Sequence, residues 1–175
     1  MPEFESRSVF FCMKAFEIFE FEGYDLLPVI NENILRYFSI SDKLLRKQSI
    51  ISAYNICKRL KFDLSGGKKV FDEVQNVVQS IMYVIATDEF LDMRILGLKA
   101  FLDNKCFDIY LKDKKNVECL LMMLYDESTE IRSLLITLFS RLSENNVSTA
   151  LTPLKVMVTQ LINQIQFSDS RYILN

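Results

Sequence analysis

The chain has no histidine. That removes the side chain most often used as a general base, and with it one of the two common zinc ligands. Its four cysteines, Cys12, Cys57, Cys106 and Cys119, show no CxxC spacing. A zinc site would therefore need an unusual ligand set, and the thiols read as small core hydrophobes. Only four glycines and three prolines occur in 175 residues, too few for a turn-rich β fold. An excess of one charge is also missing: 21 Lys and Arg face 23 Asp and Glu, a net charge of −2 with the signs interspersed. No clustered basic surface results, so no nucleic-acid partner is expected. The groups Lys58-Arg59, Lys68-Lys69 and Lys112 to Lys115 around Asp113 read as solvated turns and helix ends. Membrane-length apolar runs are absent as well. The longest candidate, Val74 to Thr87, has fourteen residues and includes two Gln and an Asn, so direct membrane insertion is not expected. No secretion signal opens the sequence, which predicts a cytoplasmic chain and leaves the sequon Asn146-Val147-Ser148 unglycosylated.

What the chain does contain is a repeat. From Asp126 to Leu142 an acidic turn leads to Arg132, and the Arg opens an apolar helix. Ile131, Leu134, Leu135, Leu138, Phe139 and Leu142 fall at steps of three and four, on one face of a 3.6-residue helix. Thirty-eight residues earlier the same order recurs from Asp88 to Leu102, with Asp88 matching Asp126, Arg94 matching Arg132 and Leu98 matching Ile136. Weaker copies run from Ser41 to Leu60, with Lys47 in the Arg position, and from Glu5 to Ile18, with Arg7. The basic positions are spaced by 40, 47 and 38 residues, near the period of two antiparallel helices plus their turns. That period belongs to HEAT-type hairpins, an armadillo-like helical architecture. The expected fold is all-α: a single α-solenoid array over 1–175, with repeats near 1–21 (partial), 25–60, 69–103, 105–143 and 152–168 (partial).

Along the chain, residues 1–21 hold Phe4, Phe10, Phe11, Phe16, Phe19 and Phe21, too many aromatics for one face of an isolated surface helix. A partner or an upstream repeat is expected to cover them. Gly23 ends this helix, Asp25 caps the next from about Leu26 to Phe38 with Pro28 in its first turn, and Asp42 to Leu60 follows. Lys61 to Lys69 reads as a loop. Its Gly66-Gly67-Lys68 lacks the P-loop pattern, because Phe62 and Lys69 stand where a Gly and a Ser or Thr are needed. Val70 to Ile85 carries a wide apolar stripe, Leu102 to Lys115 is less regular, and Asn116 to Leu124 opens the last full hairpin. Thr152-Pro153 is a strong helix start.

Catalytic chemistry finds little footing. Without histidine no His-Arg-Asp catalytic loop exists, and GxGxxG, DFG and nucleophile-elbow motifs are missing. Asp88 with Asp92, or Asp126 with Glu130, share a helix face at i and i+4, but both pairs sit at turns, where acids cap helix N-termini. A small all-α enzyme using carboxylates is thus the poorer reading. A structural one fits better: stacked hairpins bring equivalent turns side by side, so Asp88, Arg94, Asp126 and Arg132 are expected to form a repeat ladder that fixes the stacking register. In it Arg94 would bridge to Asp126, and Arg132 to an acid in its own or an adjoining turn.

From about Asp88 to Ser168 the residues resemble the HEAT-repeat region of target-of-rapamycin (TOR) serine/threonine kinases. Leu102-Asp103, Phe107-Asp108, Leu111 and Asn116 fall in the order of that family's LD, FD, L and N segment, with one extra residue between the LD and the FD. Asp126, Glu130-Ile131-Arg132 and Arg141-Leu142-Ser143 match its D, EIR and GRLS helix, and Leu154-Lys155 with Gln160 its following helix. Ser140 replaces the family's Gly, Pro153 comes one place late, and residues 1–80 carry only the generic pattern. The resemblance implies a non-catalytic scaffold segment that binds raptor-type or other TOR-complex subunits, or the rest of a larger chain, in growth and nutrient signalling. It also implies peripheral endomembrane placement through a complex. No catalytic, cofactor or metal residue carries over onto these positions. The competing reading is a free-standing HEAT adaptor without kinase activity.

Overall fold

The structure, a computed structural model, describes residues 3–19, 24–59 and 67–143, with Lys155 and Thr159. Most of the linker after Lys61 and the helix expected over 152–168 lie outside the described residues. Among those described, every regular element is helical. Helix α1 spans Glu3–Ile18, α2 begins at Leu27–Val29, α3 is Lys43–Arg59 and α4 is Gly67–Thr87. Then come α5 (Leu91–Asp103), the short α6 (Asp108–Leu111), α7 (Lys114–Met122) and α8 (Thr129–Ser143).

Helix α4 shows why the apolar steps fold as they do. Val74, Val77, Val78, Ile81, Met82 and Ile85 recur at three and four residues and are all buried, so one face of a six-turn helix leaves water. The helix begins three residues before the expected start at Val70, because Gly67-Lys68-Lys69 form its first turn. It stops where the Asp88 amide bonds to the Val84 carbonyl at 3.0 Å and Asp88 Oδ1 accepts from the Phe90 amide, also at 3.0 Å. The chain then turns back as α5. Close approach of α4 and α5 depends on Gly97, where an added Cβ would stand 2.6 Å from Ile85 Cγ1.

Other elements are less regular than their sequence suggests. Asp25 Oδ1 caps the Leu27 amide at 3.1 Å, as the spacing predicts. Beyond Val29, however, the expected single helix widens to a π-helix over Ile30–Ile34 and tightens to a 3-10 turn over Leu35–Tyr37. Asn31 sits in the widened segment. Its Nδ2 donates to the Leu27 carbonyl at 3.0 Å, the acceptor a regular helix gives to the Asn31 amide, and to the Glu73 carbonyl of α4 at 3.3 Å. Between α5 and α7, Asn104 Oδ1 accepts from the Cys106 amide and Asp113 Oδ1 from the Lys115 amide, while Asn116 Nδ2 donates to the Tyr110 carbonyl at 2.9 Å. These three short polar residues break one long stretch into a 3-10 turn, α6 and α7.

Packing follows alternate helices. Helix α1 lies against α3, α3 against α5 and α5 against α8, while α2, α6 and α7 lie against α4. The apolar stripes meet between these two rows in one cluster running from Leu27 to Leu142. Phe101 and Phe107, both fully buried, meet there edge to face with ring centroids 5.8 Å apart. Helix α1 reaches that cluster only at its edge, through the partly buried Phe16. It packs Met13 on Tyr37 and Leu45, beside a polar seam in which Glu17 accepts from Gln48 and from Ser52 Oγ. Its other face leaves Phe11, Ile18 and Phe19 mostly exposed, whereas Phe10 and Phe16 are partly buried. The remaining aromatics of this region, the Phe4 side chain and Phe21, lie outside the described residues.

Candidate functional site

The turns that precede α3, α5 and α8 gather along one edge of the row, and each is followed by an Arg doing the same work. Arg46 Nη1 donates to the Ile40 carbonyl, Arg94 Nη1 to the Asp88 carbonyl at 3.1 Å, and Arg132 Nη1 to the Asp126 carbonyl at 2.6 Å. In all three the acceptor lies six residues before the Arg, so the guanidinium closes its own turn. Arg132 Nη1 also reaches the Glu127 carbonyl at 3.0 Å. The acid of the turn is fixed from the other side: Asp88 Oδ1 and Asp126 Oδ1 accept from amides two residues on, at 3.0 and 2.8 Å. A carboxylate at this place also complements the helix N-terminus behind it.

Two of these guanidinium groups then cross to the next turn. Arg46 Nε lies 2.9 Å from Asp88 Oδ2, and Arg94 Nε lies 3.3 Å from Asp126 Oδ2. In each pair a second contact, from Nη2 to Oδ1, measures 3.4 Å. Burial separates the two pairs. The Arg46 and Asp88 side chains are 9% and 6% exposed, those of Arg94 and Asp126 20% and 17%, so only the first is shielded enough for its loss to be severe. A second rung lies outside each pair, Lys43 to Asp92 at 2.9 Å and Lys99 to Glu130 at 3.7 Å. The lysine contact lowers the pKa of Asp92, chiefly by hydrogen bonding. The i, i+4 carboxylate pairs are thus each answered by a base from the preceding helix of the row, and neither forms an acid and base facing a common cleft.

Sequence and structure place the basic position differently in α3. The alignment assigns it to Lys47, yet Lys47 is exposed and Arg46 makes the contacts. The slip has a simple origin. Ser49 and Ser52, both buried, stand where α8 has Leu135 and Leu138, so aligning on the visible apolar row shifts the base by one. For Arg132 no acidic partner in an adjoining turn occurs among the described residues.

A further clamp was not legible as a ladder member. Arg141, on the last turn of α8, donates to the Leu102 carbonyl and, at 2.9 Å, to the Phe101 carbonyl, and it pairs with Asp108. It thereby caps the open end of α5 while tying α6 to α8. Its only sequence signal is its place in the Arg141-Leu142-Ser143 match.

Of the four thiols read as small core hydrophobes, Cys57 is buried and Cys106 and Cys119 are partly buried, whereas Cys12 is exposed on α1. Burial pushes the Cys57 thiol well up, with Cys106 adding to it, and burial raises Cys106 to about 12 despite an opposing hydrogen bond from Asn104. Among the described residues no group of three or more metal-ligating side chains gathers, and no helix is long and apolar enough to cross a membrane.

Alternate helices packed in rows and tied by Arg–Asp contacts at equivalent turns define an all-α protein whose built features are structural contacts. No protein-family model matches the chain. Over nearly its whole length it is related to one segment of the TOR serine/threonine kinases. It is 25% identical over 175 residues to Serine/threonine-protein kinase TOR of Arabidopsis thaliana, covering 93% of the chain. Identity is 23% to Serine/threonine-protein kinase tor1 of Schizosaccharomyces pombe and 23% to Serine/threonine-protein kinase mTor of Drosophila melanogaster, covering 94% and 96% of the chain. The chain spans only 7% of the length of each of these relatives. The similarity therefore extends into most of residues 1–80, beyond the stretch where motifs alone made it visible.

Proposed function

We propose that the chain is a HEAT-repeat scaffold segment of a TOR-like serine/threonine kinase, a single α-solenoid array that carries no catalytic residues. One observation carries this reading: the same Arg, closing its own turn and reaching toward the acid of the next, recurs at α3 and α5 in a chain that is TOR-like almost end to end. Asp88, Arg94, Asp126 and Arg132, with Arg46, form a ladder that sets stacking register in this reading. Stacked helices then present an extended surface that positions protein partners of the kinase, such as raptor-type subunits or the rest of the parent chain, in the cytoplasm. Kinase chemistry belongs to other parts of the parent.

The test is a denaturing blot of native cell extract with an antibody raised against residues 88–143. A band far above 20.5 kDa is expected. A single band at 20.5 kDa would overturn the kinase-segment reading in favour of a free-standing adaptor. Phosphoryl transfer from ATP by the purified chain would overturn the non-catalytic part.

A further inference from the structure

The widened segment of α2 leaves a groove against α4. Its larger part, about 690 Å³, is lined by Asn31, Leu35, Asn76, Gln79 and Tyr83 among others. A notch of about 230 Å³ continues it past Val84 to Asp88 and Glu89, and the two share Phe38, Ser39 and Tyr83. From Asn76 to Glu89 the α4 side rises roughly 20 Å, the reach of about six residues of extended chain.

The lining is specific in kind. The floor is apolar, with Phe38 buried, while Tyr83 stands 61% exposed in the middle as an aromatic platform. Asn76 and Gln79, one turn apart and both exposed, make no side-chain hydrogen bond among the described residues. Each carboxamide offers a donor and an acceptor together, the complement of a peptide group. Ser80 and Thr87 differ, because their hydroxyls are already spent on the Asn76 and Tyr83 carbonyls of α4. Charge marks the two ends. Glu32 at one and Glu89 at the other are exposed and unpaired among the described residues, whereas Asp88 between them is neutralised by Arg46.

We propose that this groove binds an extended peptide segment of a partner protein, with an apolar side chain seated on Phe38 and Tyr83 and a basic residue toward each end. Asn76 and Gln79 pair with its backbone, while Glu32 and Glu89 attract its bases. The proposal rests on the scaffold reading and names the kind of partner. A helix fits less well, because unengaged carboxamides recognise open peptide groups and a helix has already used its own.

The chain contains no tryptophan, so Tyr83→Trp places a single reporter in the groove. The probe is a capped seven-residue peptide with lysine at both ends, a central leucine and serines between. Its control carries glutamate in place of lysine. Saturable change in tryptophan emission is expected with the lysine peptide only, and calorimetry on the unsubstituted chain should give the same stoichiometry of one. Combined Glu32→Gln and Glu89→Gln should weaken binding about fivefold, as should raising the salt to about 0.5 M. Asn76→Ala with Gln79→Ala should weaken it independently of salt. Failure of the lysine peptide to saturate, equal binding of the glutamate peptide, or indifference to the Glu→Gln pair would each overturn the proposal. Such a failure alongside a large parent band overturns the groove alone. A band at 20.5 kDa with peptide binding intact overturns the kinase-segment reading and leaves the groove standing.

Discussion

Arg46 is the residue whose removal should hurt most at the turn edge. Asp88 faces it with a side chain only 6% exposed, so Arg46→Ala leaves a carboxylate desolvated and without its base. A loss of about 3–5 kcal/mol is expected in denaturant unfolding. Arg94→Ala, at the wetter pair, should cost about 1 kcal/mol. The Arg94→Ala and Asp126→Ala cycle then reports their coupling: if the double variant loses as much as the two singles added, the pair contributes nothing to register. Gly97 makes a separate demand, since the Cβ of Gly97→Ala meets Ile85 Cγ1 at 2.6 Å. That contact is a buried side chain held on all sides, so overpacking of about 1–3 kcal/mol is expected. Adding Ile85→Ala removes the clashing atom, and the pair should lose less than the sum of the singles; strict additivity would show that the crowding lies elsewhere.

Among the elements, α1 stands apart because its burial is of a different kind. Helices α4, α5 and α8 press apolar stripes into one shared cluster, while α1 touches it with the partly buried Phe16 and otherwise rests on Met13, Tyr37 and Leu45 and on hydrogen bonds among Glu17, Gln48 and Ser52. Arg59 adds only exposed contacts to the carbonyls of Phe16 and Phe19. Amide hydrogen exchange should therefore open α1 at a lower free energy than α4, and equal protection of the two would contradict this. Legibility in the sequence follows the same physics. The steps of three and four in α4 and α8 name their buried faces almost residue by residue, because burial of a whole stripe is what selects those residues. The Arg94 and Asp126 positions are legible because the turn is repeated. Arg46 was displaced by one, since the buried Ser49 and Ser52 hide the register of α3 from its apolar row. The π segment of α2 was not legible, because it depends on Asn31 reaching Glu73, forty-two residues away. Arg141 was unreadable for the same reason: its acceptors lie on α5 and α6, and nothing in α8 announces them.

At the scale of the whole molecule, the rows bury Cys57 and partly cover Cys106, and this gives the fold a pH limit. Cys57 on α3 and Cys106 in the turn before α6 both keep their protons to unusually high pH, mainly because burial disfavours the thiolate. In the unfolded chain the same groups ionise near 9, whereas Cys106 in the folded state holds on to about 12. Above pH 9 the unfolded state therefore binds fewer protons than the folded one, and stability falls as pH rises. Below that range both states keep the proton and the thiols contribute no slope. Each thiol adds at most about 1.4 kcal/mol of lost stability per pH unit. The unfolding midpoint should thus show no thiol-linked decline between about pH 6 and 8, then drop above 9, and Cys106→Ala should reduce the slope of that drop. A midpoint unchanged to pH 10.5, or a slope identical in Cys106→Ala, would mean that burial in the rows does not hold the protons on these thiols.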